Sequence, residues 1–235
     1  MLTEEAHHLS VGEGGIRRIV ARTAELMKRD PNEDARAQGG LDLPLLQRFI
    51  NHWYSESLDL FGSPDSSNAA SYFATGLKGR YQESKSGLYA DHALVEGAYR
   101  VEKPGTHGVE TQEVAPRRAT NAMLQDSYVR ECEKSLGHWN QALASAGVSQ
   151  RLSLPSPRFN RKIGPFAESH WLPSGAPAAD RAGVAAHLPD AADAAWLEAL
   201  QDGPVRERGQ CASWIAAPTH KINGQPLDFE YVRFA

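Results

Sequence analysis

Apolar side chains recur three and four residues apart over much of the first 150 positions, and that period commits the chain to helices that each bury one face. Ile16, Ile19, Val20, Thr23, Leu26 and Met27 draw one stripe along a helix predicted over residues 2–28, which Pro31 closes. Gly12, Gly14 and Gly15 weaken its middle by about 1 kcal/mol each relative to Ala, so a kink or a close helix-helix approach is expected there. Leu45, Leu46, Phe49, Ile50, Trp53, Leu58 and Phe61 repeat the spacing over residues 42–61, with Asp42 as cap and Pro44 in the first turn. This second helix is expected to be heavily buried. Ser66 or Ser67 caps a short third helix through Phe73, and a long helix over residues 119–146 carries Met123, Tyr128, Cys132, Leu136, Trp139 and Leu143 before Gly147. Helices joined by short connections imply a mainly α fold, a helical bundle.

Two segments break the period. The run YRVEKPGTHGVETQEV, residues 99–114, has two strand-like stretches around Pro-Gly-Thr-His-Gly and reads as a surface β-hairpin inserted between helices. Beyond Leu152 the chain turns rich in Pro, Gly and Ala, with short helices expected at 179–187 and 191–201. We expect a single domain over residues 1–235, a bundle over 1–150 and an irregular, wrapping C-terminal extension over 151–235.

Composition narrows the function classes. A net charge of -4 argues against a surface built throughout for nucleic acid, though local cations still suit phosphates. Cys132 and Cys211 form no C-x-x-C pair and read as reduced thiols. The N-terminus is acidic and histidine-bearing, unlike a secretory signal, and no apolar run reaches the ~18 residues of a membrane span. A cytoplasmic protein is expected. No nucleophile elbow, P-loop or dinucleotide fingerprint occurs, which leaves hydrolase and kinase readings without support.

The string with chemical content is MLTEEAHHLSVGE at the start of the chain, where Glu4 precedes His7 and Glu5 precedes His8 by three residues. Residues three apart on a helix are neighbours, so a carboxylate and an imidazole in this spacing can reach one ion. This is the Glu-x-x-His half-site of ferritin-like carboxylate proteins. Extending the stripe back from Ile16 passes through Gly12, Leu9, Glu5 and Leu2, which selects Glu5 and His8 as the inward pair; Glu4 with His7 is the alternative register. Glu13 is a candidate to hold a ligand's free N–H. A lone Glu-x-x-His occurs by chance in many helices, and no other acid in this chain stands three residues before a histidine. His52 and His138, beside Trp53 and Trp139 on apolar helices, read as hydrogen-bonded core or boundary residues and not as ligands.

MLTEEAHHLSVGE, RDPNEDARAQGGLDLPLLQRFINHWYSESLDLFG, SSNAASYFATGLKGRY, LPSPRFNRKIG and NGQPLDFEYVRF, in this order, resemble the benzoyl-CoA 2,3-epoxidase family, the oxygenase component of aerobic benzoyl-CoA degradation. The resemblance spans nearly the whole chain and matches only the family's C-terminal half. It implies a ferritin-like di-iron monooxygenase whose first Glu-x-x-His and two further carboxylates lie upstream of Met1, so that this chain is a fragment, a mis-started frame or half of a split enzyme. It also implies epoxidation of the ring of benzoyl-CoA with O2, and electrons from a separate NADPH-dependent reductase holding FAD and iron-sulfur centres.

A coenzyme A thioester needs cations for its phosphates. Lys78 and Arg80 in GLKGRY, and Arg158, Arg161 and Lys162 in PSPRFNRK, are the local candidates, with Arg117 and Arg118 behind them. Each of these is also an ordinary solvated cation on charge alone. Trp53, Tyr54, Phe61, Tyr72 and Phe73 suit an acyl pocket or, more simply, a bundle core. The competing reading is a non-catalytic helical scaffold or CoA-binding subunit.

Overall fold

The computed structural model describes residues 2–61, 99–114, 116–200 and 212–218. Its elements are α1 (Leu2–Arg29), α2 (Leu43–Asp59), β1 (Tyr99–Gly105), β2 (Gly108–Val114), α3 (Pro116–Ser145), α4 (Arg181–Ala185) and α5 (Ala191–Ala199). The fold is mainly α with one two-stranded antiparallel sheet. The helix expected near residues 66–73 and the C-terminal string fall outside the described residues.

Contacts group the chain into two compact units that interleave in sequence: residues 1–49, 133–153 and 189–235, and residues 50–132 and 154–188. In the first, α1 buries Val20, Thr23, Ala24, Leu26 and Met27, the spacing that the stripe anticipates, and Leu45, Leu46 and Leu143 join them in the core. Pro31 follows the end of α1, and the Asp30 carboxylate accepts from the backbone N–H groups of Asn32 and Asp34 at 2.8 and 3.2 Å, folding the connection back. Thr23 Oγ1 donates to the carbonyl of Leu41 at 2.7 Å, a buried bond that fixes the approach to α2. Asp42 caps α2 by accepting from Leu45 N–H at 2.8 Å. At the far end of α3, Val148 N–H reaches Leu143 O at 3.0 Å and Gly147 N–H reaches Ala144 O at 2.9 Å. That is a Schellman stop, and Gly147 sits at φ 78°, where a side chain is strained.

In the second unit the core holds Tyr54, Leu58, Phe159, Phe166, Trp171 and Val184. Much of its remaining order is polar. Asn51 Nδ2 donates to His187 O at 3.0 Å, and Asn160 Nδ2 donates to Ser55 Oγ at 3.0 Å. The expected hairpin forms, pairing Tyr99 with Val114 and Gly105 with Gly108, and none of its described side chains is buried. Pro104 is tolerated because, among the described residues, both strands are edges.

Two expectations about burial are corrected. Trp53 on α2 is 63% exposed and Leu60 just beyond is 86% exposed, so α2 buries one side through Tyr54, Ser55 and Leu58 and shows another. At Gly12, Gly14 and Gly15 an added Cβ would meet open space, so these glycines mark no close helix approach among the described residues.

Candidate functional site

The first turns of α1 carry the Glu-x-x-His residues. Glu4, His7 and His8 are exposed, and Glu5 lies on the same helix with its side chain outside the described residues. The His7 and His8 rings stand 6.0 Å apart at 59°, as adjacent helix positions separated by about 100° must diverge. Leu9 is 73% and Val11 51% exposed. Among the described residues nothing covers His8 and Leu9, the pair expected to face inward, and α1 stays exposed from His7 as far as Gly12.

One turn on, Glu13 faces α3. His138 Nδ1 lies 2.9 Å from Glu13 Oε1, and the Trp139 indole N–H donates to Glu13 O at 3.4 Å. The carboxylate expected to hold a ligand's N–H is thus engaged with a histidine 125 positions away, a pairing no local spacing could signal. Among the described residues no group of three or more His, Cys, Asp or Glu could hold a metal ion. Glu4, Glu5, His7 and His8 have the right kind of donor atoms for iron, hard oxygen and imidazole nitrogen, but too few for a complete centre.

The cations expected at phosphates fall into different roles. Lys78 and Arg80 lie outside the described residues, and Arg117 and Arg118 lie on α3 with undescribed side chains. Arg161 is structural: only 6% of its side chain is exposed, its Nε donates to Asp59 Oδ1 at 2.5 Å, and its Nη atoms donate to Pro157 O at 3.1 Å and Leu58 O at 3.2 Å. With its donors turned to protein oxygens, this guanidinium is a clamp between α2 and the loop after residue 154. Arg158 bonds Glu102 at 2.5 Å and lies 5.8 and 5.5 Å from the Phe166 and Trp171 ring centroids, within cation-π range. Lys162 pairs with Glu56, and its backbone N–H donates to Asp59 Oδ2 at 2.8 Å.

Beside these residues opens a cavity of about 270 Å³, lined by Asn160, Arg161, Lys162, His170, Trp171 and Arg181 among others. Arg181 and His170 carry no motif, and only the fold brings them next to Lys162. Of the aromatic candidates, Tyr54 is buried and stacks on Tyr128 with ring centroids 6.2 Å apart, and Phe61 packs on the same ring at 5.5 Å. Burial pushes the Tyr128 hydroxyl up to about 12, which keeps it a neutral phenol. Tyr72 and Phe73 lie outside the described residues.

No helix among the described residues is long and apolar enough to cross a membrane. No protein-family model matches the chain. The chain is 42% identical, over 240 aligned positions that take in all of it, to Benzoyl-CoA oxygenase component B of Aromatoleum evansii, and it spans about half (50%) of that protein. Along its whole length, then, the chain is similar to a benzoyl-CoA oxygenase component B, in an extent consistent with that protein's C-terminal half.

Proposed function

We propose that this chain is the C-terminal part of a di-iron monooxygenase that epoxidises the aromatic ring of benzoyl-CoA, and that its bundle is half of a ferritin-like fold. The observation that carries the reading is an overall identity of 42% across the length of the chain, together with a Glu-x-x-His on α1. Glu5 and His8 would hold iron, with Glu4 and His7 as the other register, and the remaining ligands would come from the half of the protein not spanned here. The uncovered start of α1, with Leu9 and Val11 exposed beside these donors, is what such a complement would cover. Iron there would supply reductive activation of O2, placing one oxygen atom on the ring and releasing the other as water. A reductase with FAD and iron-sulfur centres, drawing on NADPH, would deliver the electrons.

Within this chain, Glu5 and His8 bind and orient, and Glu13 anchors α1 to α3 through His138. Covering Leu9 and Val11 would exclude water from the same face. A second reading is a helical scaffold or CoA-binding subunit without catalysis.

Co-purification with a polypeptide matching the rest of the relative tests the assignment. The expected result is iron bound to the complex and NADPH consumption dependent on benzoyl-CoA when a reductase is added, with both lost in Glu5→Ala and His8→Ala. The isolated chain should bind iron weakly and one ion at most. An iron-free complex that still binds coenzyme A would establish the scaffold instead.

A further inference from the structure

We infer that the cavity beside α4 is a binding site for a phosphate-type anion, with Arg181 as its principal ligand and Lys162 and His170 at its rim. The inference does not depend on the oxygenase reading. Arg161 and Lys162, the two basic residues on this wall that the sequence points to, already face carboxylates, Asp59 and Glu56. Arg181 does not: among the described residues its one bond is from Nη2 to Asn160 Oδ1 at 2.7 Å, a neutral acceptor. Among the described residues no carboxylate pairs with it, and most of its five N–H donors are left over.

Position distinguishes Arg181 from an ordinary surface arginine. Asn160 is 4% exposed and sits at φ 50°, a left-handed backbone that Asn tolerates better than most side chains. Its Nδ2 donates to Ser55 Oγ at 3.0 Å, and Ser55 Oγ donates to His52 O at 2.9 Å. A buried relay thus fixes the amide, and the amide fixes the guanidinium, so less ordering entropy remains to be lost when an anion arrives. The other walls are Val184, 1% exposed, and Trp171, held edge-on by Phe166 at 5.8 Å. The volume of about 270 Å³ would hold several waters at about 30 Å³ each, enough for a phosphate group and part of whatever carries it.

Two sources share this chemistry, a free oxyanion and the phosphates of a larger ligand such as coenzyme A. Titration calorimetry of the full chain in about 0.1 M salt, where remote charges are screened, uses pyrophosphate in one arm and coenzyme A in the other. Saturable binding is expected in at least one arm, weakened tenfold or more by Arg181→Ala, partly restored by Arg181→Lys, weakened by Lys162→Ala and unmoved by Arg130→Ala on α3. Tighter pyrophosphate binding identifies a free oxyanion as the ligand, and tighter coenzyme A binding identifies a carried phosphate. Should Arg181→Ala unfold, Lys162→Ala and Arg181→Lys must still weaken binding. Absence of saturable binding in both arms, or binding that ignores every substitution at Arg181 and Lys162, overturns the inference.

Discussion

Arg48 holds Asp193 in a two-pronged grip, Nε to Oδ2 at 2.6 Å and Nη2 to Oδ1 at 2.5 Å, around a carboxylate only 1% exposed. Arg36 adds a third bond at 2.9 Å, and the same Asp193 closes a capping box with Asp190 at the start of α5. One acid thereby ties the loop after α1, the start of α2 and the start of α5.

The Arg48 guanidinium beside it, with Arg36 helping, draws the Asp193 carboxyl down to about 2. A depressed folded pKa gives stabilisation that is complete above the unfolded value near 4 and lost as pH falls through about 2. Asp193→Asn should cost roughly 2 to 4 kcal/mol at pH 7, since it leaves two arginines facing an amide. Urea melts at pH 7 and at pH 2 check this: the gap between wild type and variant should shrink at the lower pH, and an equal gap would sink the argument.

The Arg161 clamp predicts a loss that a lysine cannot repair. Its side chain is 6% exposed and that of Asp59 8%, so removing either partner strands a buried charge at a cost of about 3 to 5 kcal/mol. Lysine supplies the charge without the planar fork needed to reach Asp59, Leu58 O and Pro157 O together. Denaturant midpoints should therefore fall nearly as far in Arg161→Lys as in Arg161→Ala.

His8 should behave in the opposite way. It is exposed on α1, so His8→Ala should change the stability of this chain by no more than about 0.5 kcal/mol. On the di-iron reading proposed above, the same substitution in a complex with a polypeptide matching the rest of the relative should lower iron content severalfold. A large loss of stability in the isolated chain would show that His8 is a packing residue.

Helix periodicity was legible where packing answers it: the stripe from Val20 to Met27, the Asp42 cap and the Gly147 stop all stand in the structure. The hairpin was legible too, because a two-residue turn between strand-like runs fixes its register locally. Arg181 and His138 were not. Each gains its place from chain segments far away, Arg181 through Asn160 and His138 through Glu13, and no periodicity encodes such a meeting. Trp53 misled for a related reason: its spacing fits an apolar face, but the side of α2 that packs is set by Tyr54, Ser55 and Leu58.

Tyr128 offers a spectroscopic check on the aromatic cluster. Burial raises its hydroxyl from 10 to about 12, so the folded state keeps that proton longer than the unfolded chain. The associated stability is present below pH 10 and lost as pH rises through about 12. Absorbance titration should show a late-ionising tyrosine whose signal disappears in Tyr128→Phe. If every tyrosine titrates together near pH 10 in the folded protein, the cluster is more open than described.

Gly40 is predicted to be irreplaceable for a steric reason that a pairwise experiment isolates. A Cβ at this position would strike Leu26 Cδ1 and come within 3.2 Å of the carbonyl of Ala35. Leu26 is 2% exposed, so its end has little room to retreat, and the Gly40 carbonyl is already the acceptor for the Trp196 indole N–H at 3.1 Å. Gly40→Ala should cost about 1 to 3 kcal/mol, the range for forcing extra volume into a packed core. Leu26→Ala alone should cost roughly 2 to 5 kcal/mol by leaving a cavity. Because the clash needs both side chains, the double variant should lose less stability than the two single losses added together. Strict additivity in denaturant melts would place the strain at Ala35 instead.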